Sequence, residues 1–279
     1  MSFTYQTLAS HDHLDFTGAR VDIGRIRAHT LVMGFEYGLT DRLALDAELA
    51  YISSKYKGQL PESPHDDGAY HPTFQDAQLG LRYNVLKNPL VLTPFIGATI
   101  PTHDYETRGH SAAGRNFHEF LMGLNVGRQL GPVLPDAYFH VRYSYAVLSH
   151  FNGLNLNRSN ADWEVGWIAT RRCSLRLLGA WQRTQGGLDL PKDLTEENHE
   201  LHDRVARANY LRLGGGVTFS VSRSLDVHSA YLTTVSGINT HAVGGLAIGI
   251  SWRFSKGLAT ARSSVNTSEK KLPTLVPEI

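Results

Sequence analysis

The chain has 279 residues, a formal net charge of +1 and only 19% charged side chains, with 26 glycines and one cysteine. That length admits one large domain or two small ones, the charge balance offers nothing to nucleic acid, and the single cysteine, Cys173, excludes an intrachain disulfide. Low charge with abundant glycine fits an all-β chain better than a helical one, and no apolar run approaches the ~18–20 residues of a membrane-spanning helix.

Residues 2–9 form a weak strand candidate, and 10–26 read as a polar connection. Residues 27–37 alternate, with Leu31, Met33, Phe35 and Tyr37 on one face and Thr30, Gly34 and Glu36 on the other. A period of two marks a strand with one apolar and one polar face. After a tight turn at 38–41, Leu43, Leu45, Ala47, Leu49 and Tyr51 alternate with Arg42, Ala44, Asp46 and Glu48. A long polar loop follows at 54–72. Residues 74–86 then set Ala77, Leu79, Leu81, Tyr83 and Val85 against Asp76, Gln78, Arg82 and Asn84. Past a turn at 87–89, residues 90–100 are apolar on both faces. Pro94 lies mid-run, and proline in a sheet marks an edge or a bulge, so a local irregularity is expected there.

A second long loop spans 101–115. The strand at 117–130 sets Phe120, Met122, Leu124 and Val126 against Glu119, Gly123, Asn125 and Gln129, and 131–136 turns the chain. Residues 137–149 set Phe139, Val141, Tyr143, Tyr145 and Val147 against His140, Arg142 and Ser144. Beyond a loop at 150–159, Trp163, Val165 and Trp167 oppose Asp162 and Glu164, and a turn follows at 170–173. Residues 174–184 set Leu175, Leu177 and Trp181 against Arg176 and Gln182. The longest loop, 185–207, holds Asp193 and Glu196, placed to cap a short helix with Leu194, Leu201 and Val205 on one side. Two further strands, 209–221 and 225–237, meet at a turn at 222–224 and put Arg212, Asp226 and His228 on their polar faces. After 238–242, the closing strand sets Gly244, Leu246, Ile248, Ile250, Trp252 and Phe254 against Gly245, Ala247, Gly249, Ser251 and Arg253. Residues 255–279 lack periodicity and read as a polar, disordered tail to a barrel domain spanning 1–254.

The spacing carries more than any one strand. Short turns alternate strictly with connections that are mostly longer, and the strands run to roughly ten to fourteen residues, long enough to cross a bilayer at a tilt. This pattern predicts an all-β antiparallel transmembrane β-barrel of about twelve strands, with short periplasmic turns and long extracellular loops. It places the chain in membrane lipid, in the bacterial outer membrane. No signal peptide is visible, so export requires a leader already removed or a misplaced start.

Two stretches, FEYGLTDRLALDAELAYISSKYKG and TFQDAQLGLRYNVLKNPLVLTPFIGATIPTHDYE, are similar to the outer-membrane barrels grouped as the MetA-pathway of phenol degradation, or transporter-like, family. The resemblance covers most of residues 30–254 at the level of hairpins. It implies a passive channel or uptake port for small, often hydrophobic or aromatic, compounds. It supplies no catalytic residue and no cofactor. The closing strand, ending in Trp252 and Phe254, resembles the terminal strand that the outer-membrane assembly machinery reads, which implies that machinery as a partner.

If the apolar faces meet lipid, the polar faces meet the lumen. The lumen then collects Glu36, Asp46, Glu48, Asp76, Glu119, Asp162, Glu164 and Asp226 with Arg42, Arg82, Arg142, Arg176, Arg212 and Arg253, and also His140 and His228. Two readings follow. One is a polar channel for small-molecule solutes. The other is a structural or adhesive barrel whose lumen is closed by ion pairs and whose loops bind partners. About eight strands are filled by side chains and about sixteen leave a channel; twelve lies between. The aromatic residues Tyr37, Tyr51, Tyr83, Trp163, Trp181 and Trp252 fit interfacial girdles.

Ten histidines fall in the connections: His11, His13, His65, His71, His103, His110, His150, His199, His202 and His241. A metal site needs three or four converging ligands. No local spacing supplies them, so solvated loop histidines and no metal are expected. The run from Ser149 through Asn152 faintly resembles the His-x-Ser site of outer-membrane phospholipase A and lipid A deacylase. Asn152 stands where the nucleophile belongs, so a lipid-acting enzyme is the weakest reading.

Overall fold

The computed structural model describes residues 1–58, 63–195 and 198–254, so the tail at 255–279 and Glu196 lie outside the described residues. Twelve strands follow one another: β1 (Ser2–Leu14), β2 (Arg20–Gly38), β3 (Leu43–Lys57), β4 (His71–Tyr83), β5 (Val91–Ile100), β6 (Glu119–Gln129), β7 (Ala137–Leu148), β8 (Arg158–Ile168), β9 (Cys173–Thr184), β10 (Asn209–Ser220), β11 (Leu225–Ile238) and β12 (Thr240–Trp252). Each pairs antiparallel with the next, and β12 returns to β1 to close the barrel. The seam runs from Ser2 opposite Ser251 to Leu14 opposite Thr240. At its end the Trp252 N–H donates to the Met1 carbonyl at 2.7 Å, and the terminal ammonium donates to the Trp252 carbonyl at 2.9 Å. Closure leaves no unpaired strand edge, which is what a backbone in lipid requires.

The alternation read from the sequence becomes an inside and an outside. On β3, Leu45 and Tyr51 are exposed on the outer face, whereas Ile52, Ser54 and Tyr56 are fully buried within. On β9, Leu175 and Leu177 are exposed outward and Leu178 is buried inward. A one-residue slip of any strand would exchange the two faces, so the pattern also fixes register. Tyr37, Tyr83, Trp167 and Trp252 stand exposed on the outer face near the short-turn end, the place of an interfacial girdle. Trp163 and Trp181 are partly buried.

The boundaries differ from the sequence reading in informative places. The polar stretch 10–26 is mostly strand: β1 and β2 continue as a hairpin, with only 15–19 as its turn. Asp15 Oδ1 closes that turn, accepting from the Thr17 N–H at 2.7 Å and the Ala19 N–H at 3.0 Å. Both faces of this extension carry polar residues, so the period of two that marks the other strands is missing. The connection before β12 shrinks to Asn239, held at φ 50°, a left-handed conformation that asparagine tolerates. At Pro94 the ladder to β4 stops: pairing runs only from Ala77–Ile100 to Arg82–Phe95, while the β6 side continues through Pro94 opposite Leu124. The missing N–H therefore faces the interrupted side. The short helix α1 is His202–Val205, after a 3₁₀ turn at His199–Leu201, and neither has a side-chain cap. Asp193 closes a different turn, accepting the Asp189 N–H at 3.0 Å.

Candidate functional site

The inward faces of β3 to β10 leave a cavity of about 240 Å³ inside the barrel. Nine of the sixteen residues expected in the lumen line it: Asp46, Glu48, Asp76, Arg82, Glu119, His140, Arg142, Asp162 and Arg212. Asp76 follows the period of two with Gln78 and Arg82, and a bulge where Gln75 and Asp76 together oppose Ala50 turns Gln75 inward beside it. Two glycines make room for the lining. A Cβ at Gly80 would lie 2.5 Å from an Asp46 carboxylate oxygen, and one at Gly123 would lie 2.5 Å from the Phe95 ring. The Arg142 guanidinium lies over that ring, 3.8 Å from its centroid, a cation–π contact that fixes a cation inside the bore.

The remaining expected residues lie elsewhere. Glu164, Arg176, Asp226 and His228 are buried against the inner wall. Arg176 Nη1 lies 3.5 Å from Glu164 Oε2, and the Tyr138 hydroxyl donates to the same carboxylate. Arg253 follows β12 and donates to Asp226 Oδ2 at 2.7 Å. Glu36 pairs with Arg82. Arg42 is a correction: it is exposed in the 39–42 turn, outside any strand, where its carbonyl accepts the Asn84 N–H at 2.7 Å. Phe254 lies just past β12 and packs on Trp252, with ring centroids 4.6 Å apart.

Arg158 and Arg115 also line the cavity but were not among the expected residues. Arg158 Nη2 donates to Glu119 Oε1 at 2.7 Å, reaching from β8 to β6 across β7. Its signal was present: Arg158, Asn160, Asp162 and Glu164 continue one polar face, so β8 begins where a loop was expected. Arg115 sits in the 101–118 connection, which has no periodicity to read. One inward-facing arginine thus stands on each of four consecutive strands, Arg142 on β7, Arg158 on β8, Arg176 on β9 and Arg212 on β10. Asp46, Glu48 and Asp76 stand on β3 and β4. The bore carries both signs interleaved, with Arg158 paired to Glu119 and Arg176 to Glu164 on the arginine-bearing side.

The long-loop end is covered. Residues 101–118 fold into the barrel mouth and cross it. On one side Tyr105 and Ala113 cluster with Leu8, Ala28 and Ile52, the inward residues of β1, β2 and β3. On the other, Phe117 clusters with Ala146 and Leu148 of β7 and with Leu156. The Ser54 hydroxyl donates to the Ser111 carbonyl at 2.5 Å, and Gln75 donates to the Ala113 carbonyl. Burial, then the charge of Asp76, pushes the Tyr105 phenol above its ordinary value. It stays protonated and donates to Asp76 Oδ1 at 2.7 Å. Helix α1 lies beside this segment: Arg204 donates to the Asn116 carbonyl at 3.3 Å and stacks on Phe151 and Phe117. Residues 101–118 form the main constriction, with α1 as its partner.

The loop histidines are the second correction. His13, His110, His202 and His241 are buried, not solvated. Burial follows from the inward fold of 101–118 and α1, which the strand pattern does not announce. His11 and His150 remain exposed, and His71 pairs with Asp67 at 2.9 Å. Among the described residues no group of three or more histidine, cysteine or acidic ligands is arranged to hold a metal. Ser149 and Asn152 are exposed beside His150, and Asn152 offers no nucleophile.

No family model matches the chain, and no curated protein matches it. Among solved structures, it is similar to an outer membrane channel from Pseudomonas putida F1, with a TM-score of 0.64 at 13% identity over 91% of this chain and 95% of that one. It is also similar to the NanC porin, with a TM-score of 0.51 at 11% identity over 91% of this chain and 100% of that one. At these identities the likeness is one of fold, and the fold of this chain is a closed twelve-stranded barrel.

Proposed function

We propose that this chain is a passive channel of the bacterial outer membrane for small solutes, normally closed at its outer mouth by residues 101–118. The observation that carries the reading is the charge-lined cavity of about 240 Å³ kept between the ion pairs of a barrel whose outer surface is apolar. A barrel built only as a scaffold has no use for arginines and carboxylates around empty space, since each buried charge costs desolvation. The short turns face the periplasm and the long loops face outward, with both termini at the periplasmic end. Trp252 and Phe254 at the closing seam present the terminal signal to the assembly machinery. The lining favours small polar or charged solutes over the aromatic compounds implied by the family resemblance, because charged side chains outnumber aromatic ones around the cavity.

Neutralising Asp46 and Glu48 together, as Asp46→Asn and Glu48→Gln, should shift the ion selectivity of the channel toward anions. Carboxylates in a narrow bore act at a lower effective dielectric than in bulk water and bias which ions enter. The check is the reversal potential across a planar bilayer under a salt gradient. The shift should shrink at high salt, where mobile ions screen the wall. An unchanged reversal potential would remove these two carboxylates from the conduction path.

The covered mouth favours a second reading, a closed barrel whose loops bind partners. Opening the mouth separates the two, because a closed lumen stays silent without its cover.

A further inference from the structure

The cover is held by more than apolar contact. Four imidazoles from four separate elements meet at the mouth: His13 near the end of β1, His110 in 101–118, His202 at the start of α1 and His241 at the start of β12. Each is more than nine-tenths buried. Both oxygens of Asp203 lie 3.1 Å from His241 Nε2, and Asp203 Oδ1 lies 3.4 Å from His202 Nε2. Asp203 therefore ties α1 to β12. His110 Nδ1 lies 3.3 Å from Asp66 Oδ2, and Asp66 also accepts the Ser111 N–H at 2.9 Å. The rings touch one another as well: His13 and His241 are 5.1 Å apart between centroids, and His110 and His202 are 5.0 Å apart. Two ring nitrogens, His13 Nε2 and His241 Nδ1, are buried without a hydrogen-bond partner among the described residues.

We propose that this cluster is a proton-operated latch: acidification through the histidine range releases residues 101–118 and α1 from the mouth and opens the barrel. The consequence for transport rests on the channel reading; the latch itself does not. Two carboxylates balance at most two imidazolium ions. A third proton places an uncompensated charge among buried rings about 5 Å from one another, where neither water nor counter-ion screens it.

Burial pushes the Asp203 carboxyl up, but His241 and His202 pull it further down, so it is ionised throughout and supplies one charge only. The neighbouring acids are engaged elsewhere. Glu106 is held to about 2 mainly by its bond from Arg108, and it is also 3.6 Å from His65. Asp12 pairs with Arg20, Asp189 with Arg207, and Asp76 accepts from Tyr105. Glu200, on the 3₁₀ turn, lies 3.8 Å from Arg108. Arg115 and Arg204 add positive charge from the cover itself. Tyr56, stacked on His110 at 4.3 Å, donates its hydroxyl to the Ile23 carbonyl.

The sign follows. Released imidazoles titrate near their free value of ~6.5. Burial, then the neighbouring His241, pushes docked His13 down to about 3, so docking gives up a proton that the released ring would hold. Docking is therefore complete above the free value and weakens below it, about tenfold per pH unit for each extra proton taken up on release.

The test is the distance between nitroxides at Glu200→Cys, beside α1, and Val133→Cys, in the exposed periplasmic turn, in a Cys173→Ser background and in nanodiscs. At about pH 8 the distribution should be narrow, and at about pH 5.5, below the ~6.5 imidazole value, it should broaden and lengthen. In His13→Gln/His202→Gln the acid response should be lost or moved down by about one pH unit. In Asp203→Asn release should begin at higher pH, because a counter-charge has gone. A distribution unmoved by acid in the parent protein, a full response in the double variant, or no upward shift in Asp203→Asn would each overturn the latch. Bilayer recordings at the same two pH values keep the two claims apart. Acid release without current at either pH leaves the latch standing and sinks the channel. Equal current at both, with a narrow distribution throughout, does the reverse.

Discussion

Replacing Leu177 by arginine is expected to destabilise the folded barrel by about 2–4 kcal/mol. Leu177 is the fifth residue of β9 and is 59% exposed on the outer face. A strand crosses the bilayer core in about 9–11 tilted residues, so this position lies near the middle of the apolar band, furthest from either interface. Leu45, with the same outward direction, is the third residue of β3 and sits close to the 39–42 turn. There the same change should cost only about 0–1 kcal/mol, because the guanidinium reaches the interface. Asp46→Asn, one residue along and facing the lumen, should leave assembly intact. Urea unfolding of the three variants in lipid vesicles, followed by tryptophan fluorescence, gives the order. Equal stabilities for Leu177→Arg and the parent chain would mean that the outer face does not meet lipid.

Arg158→Ala is expected to cost about 3–5 kcal/mol, the range for breaking a buried ion pair while one partner remains. Arg158 and Glu119 have side-chain exposures of 9% and 6% and meet at 2.7 Å. The pair joins β8 to β6 across the intervening strand and stands just below the cover. Truncation leaves the Glu119 carboxylate without the cation it faces. Water in the adjoining cavity moves the cost toward the lower end of the range. Replacing both partners, as Glu119→Gln with Arg158→Met, should recover most of the loss, because no charge is then left behind. Unfolding of the single and double variants forms the cycle. Additive losses would mean that the pair is not coupled.

Most of the barrel was legible because lipid on one side and a wet lumen on the other impose opposite demands on alternate residues. Leu31 to Tyr37, Leu43 to Tyr51 and Leu246 to Trp252 carry that contrast in full, and so the strands, their faces and their count could be read directly. The β1–β2 extension could not, because outside lipid both of its faces are polar. Arg42 was assigned to the lumen by extending the period of two one residue past the start of β3, where a turn had already begun. The site was legible only as far as strands line it. Asp46, Glu48, Arg142 and Asp162 follow from periodicity. Tyr105, Arg115, Phe117 and the buried histidines do not, since 101–118 and α1 are placed by contacts with strands far away in the chain. His110 and His202, for instance, are 5.0 Å apart between ring centroids, yet nothing in their local sequence pairs them.

The proposed function requires a conducting path through this barrel that residues 101–118 close. It is tested most directly by single-channel recording in a planar bilayer at neutral pH, comparing the parent chain with a variant in which 105–115 is replaced by a short glycine-serine linker. Tyr105, Ala113 and Arg115 leave the mouth in that variant, while β5 and β6 keep their pairing. The parent chain should show small or rare openings, and the variant a several-fold larger, sustained conductance. A variant that folds to the same strand content and remains silent would contradict the proposed function, and would leave a closed structural barrel.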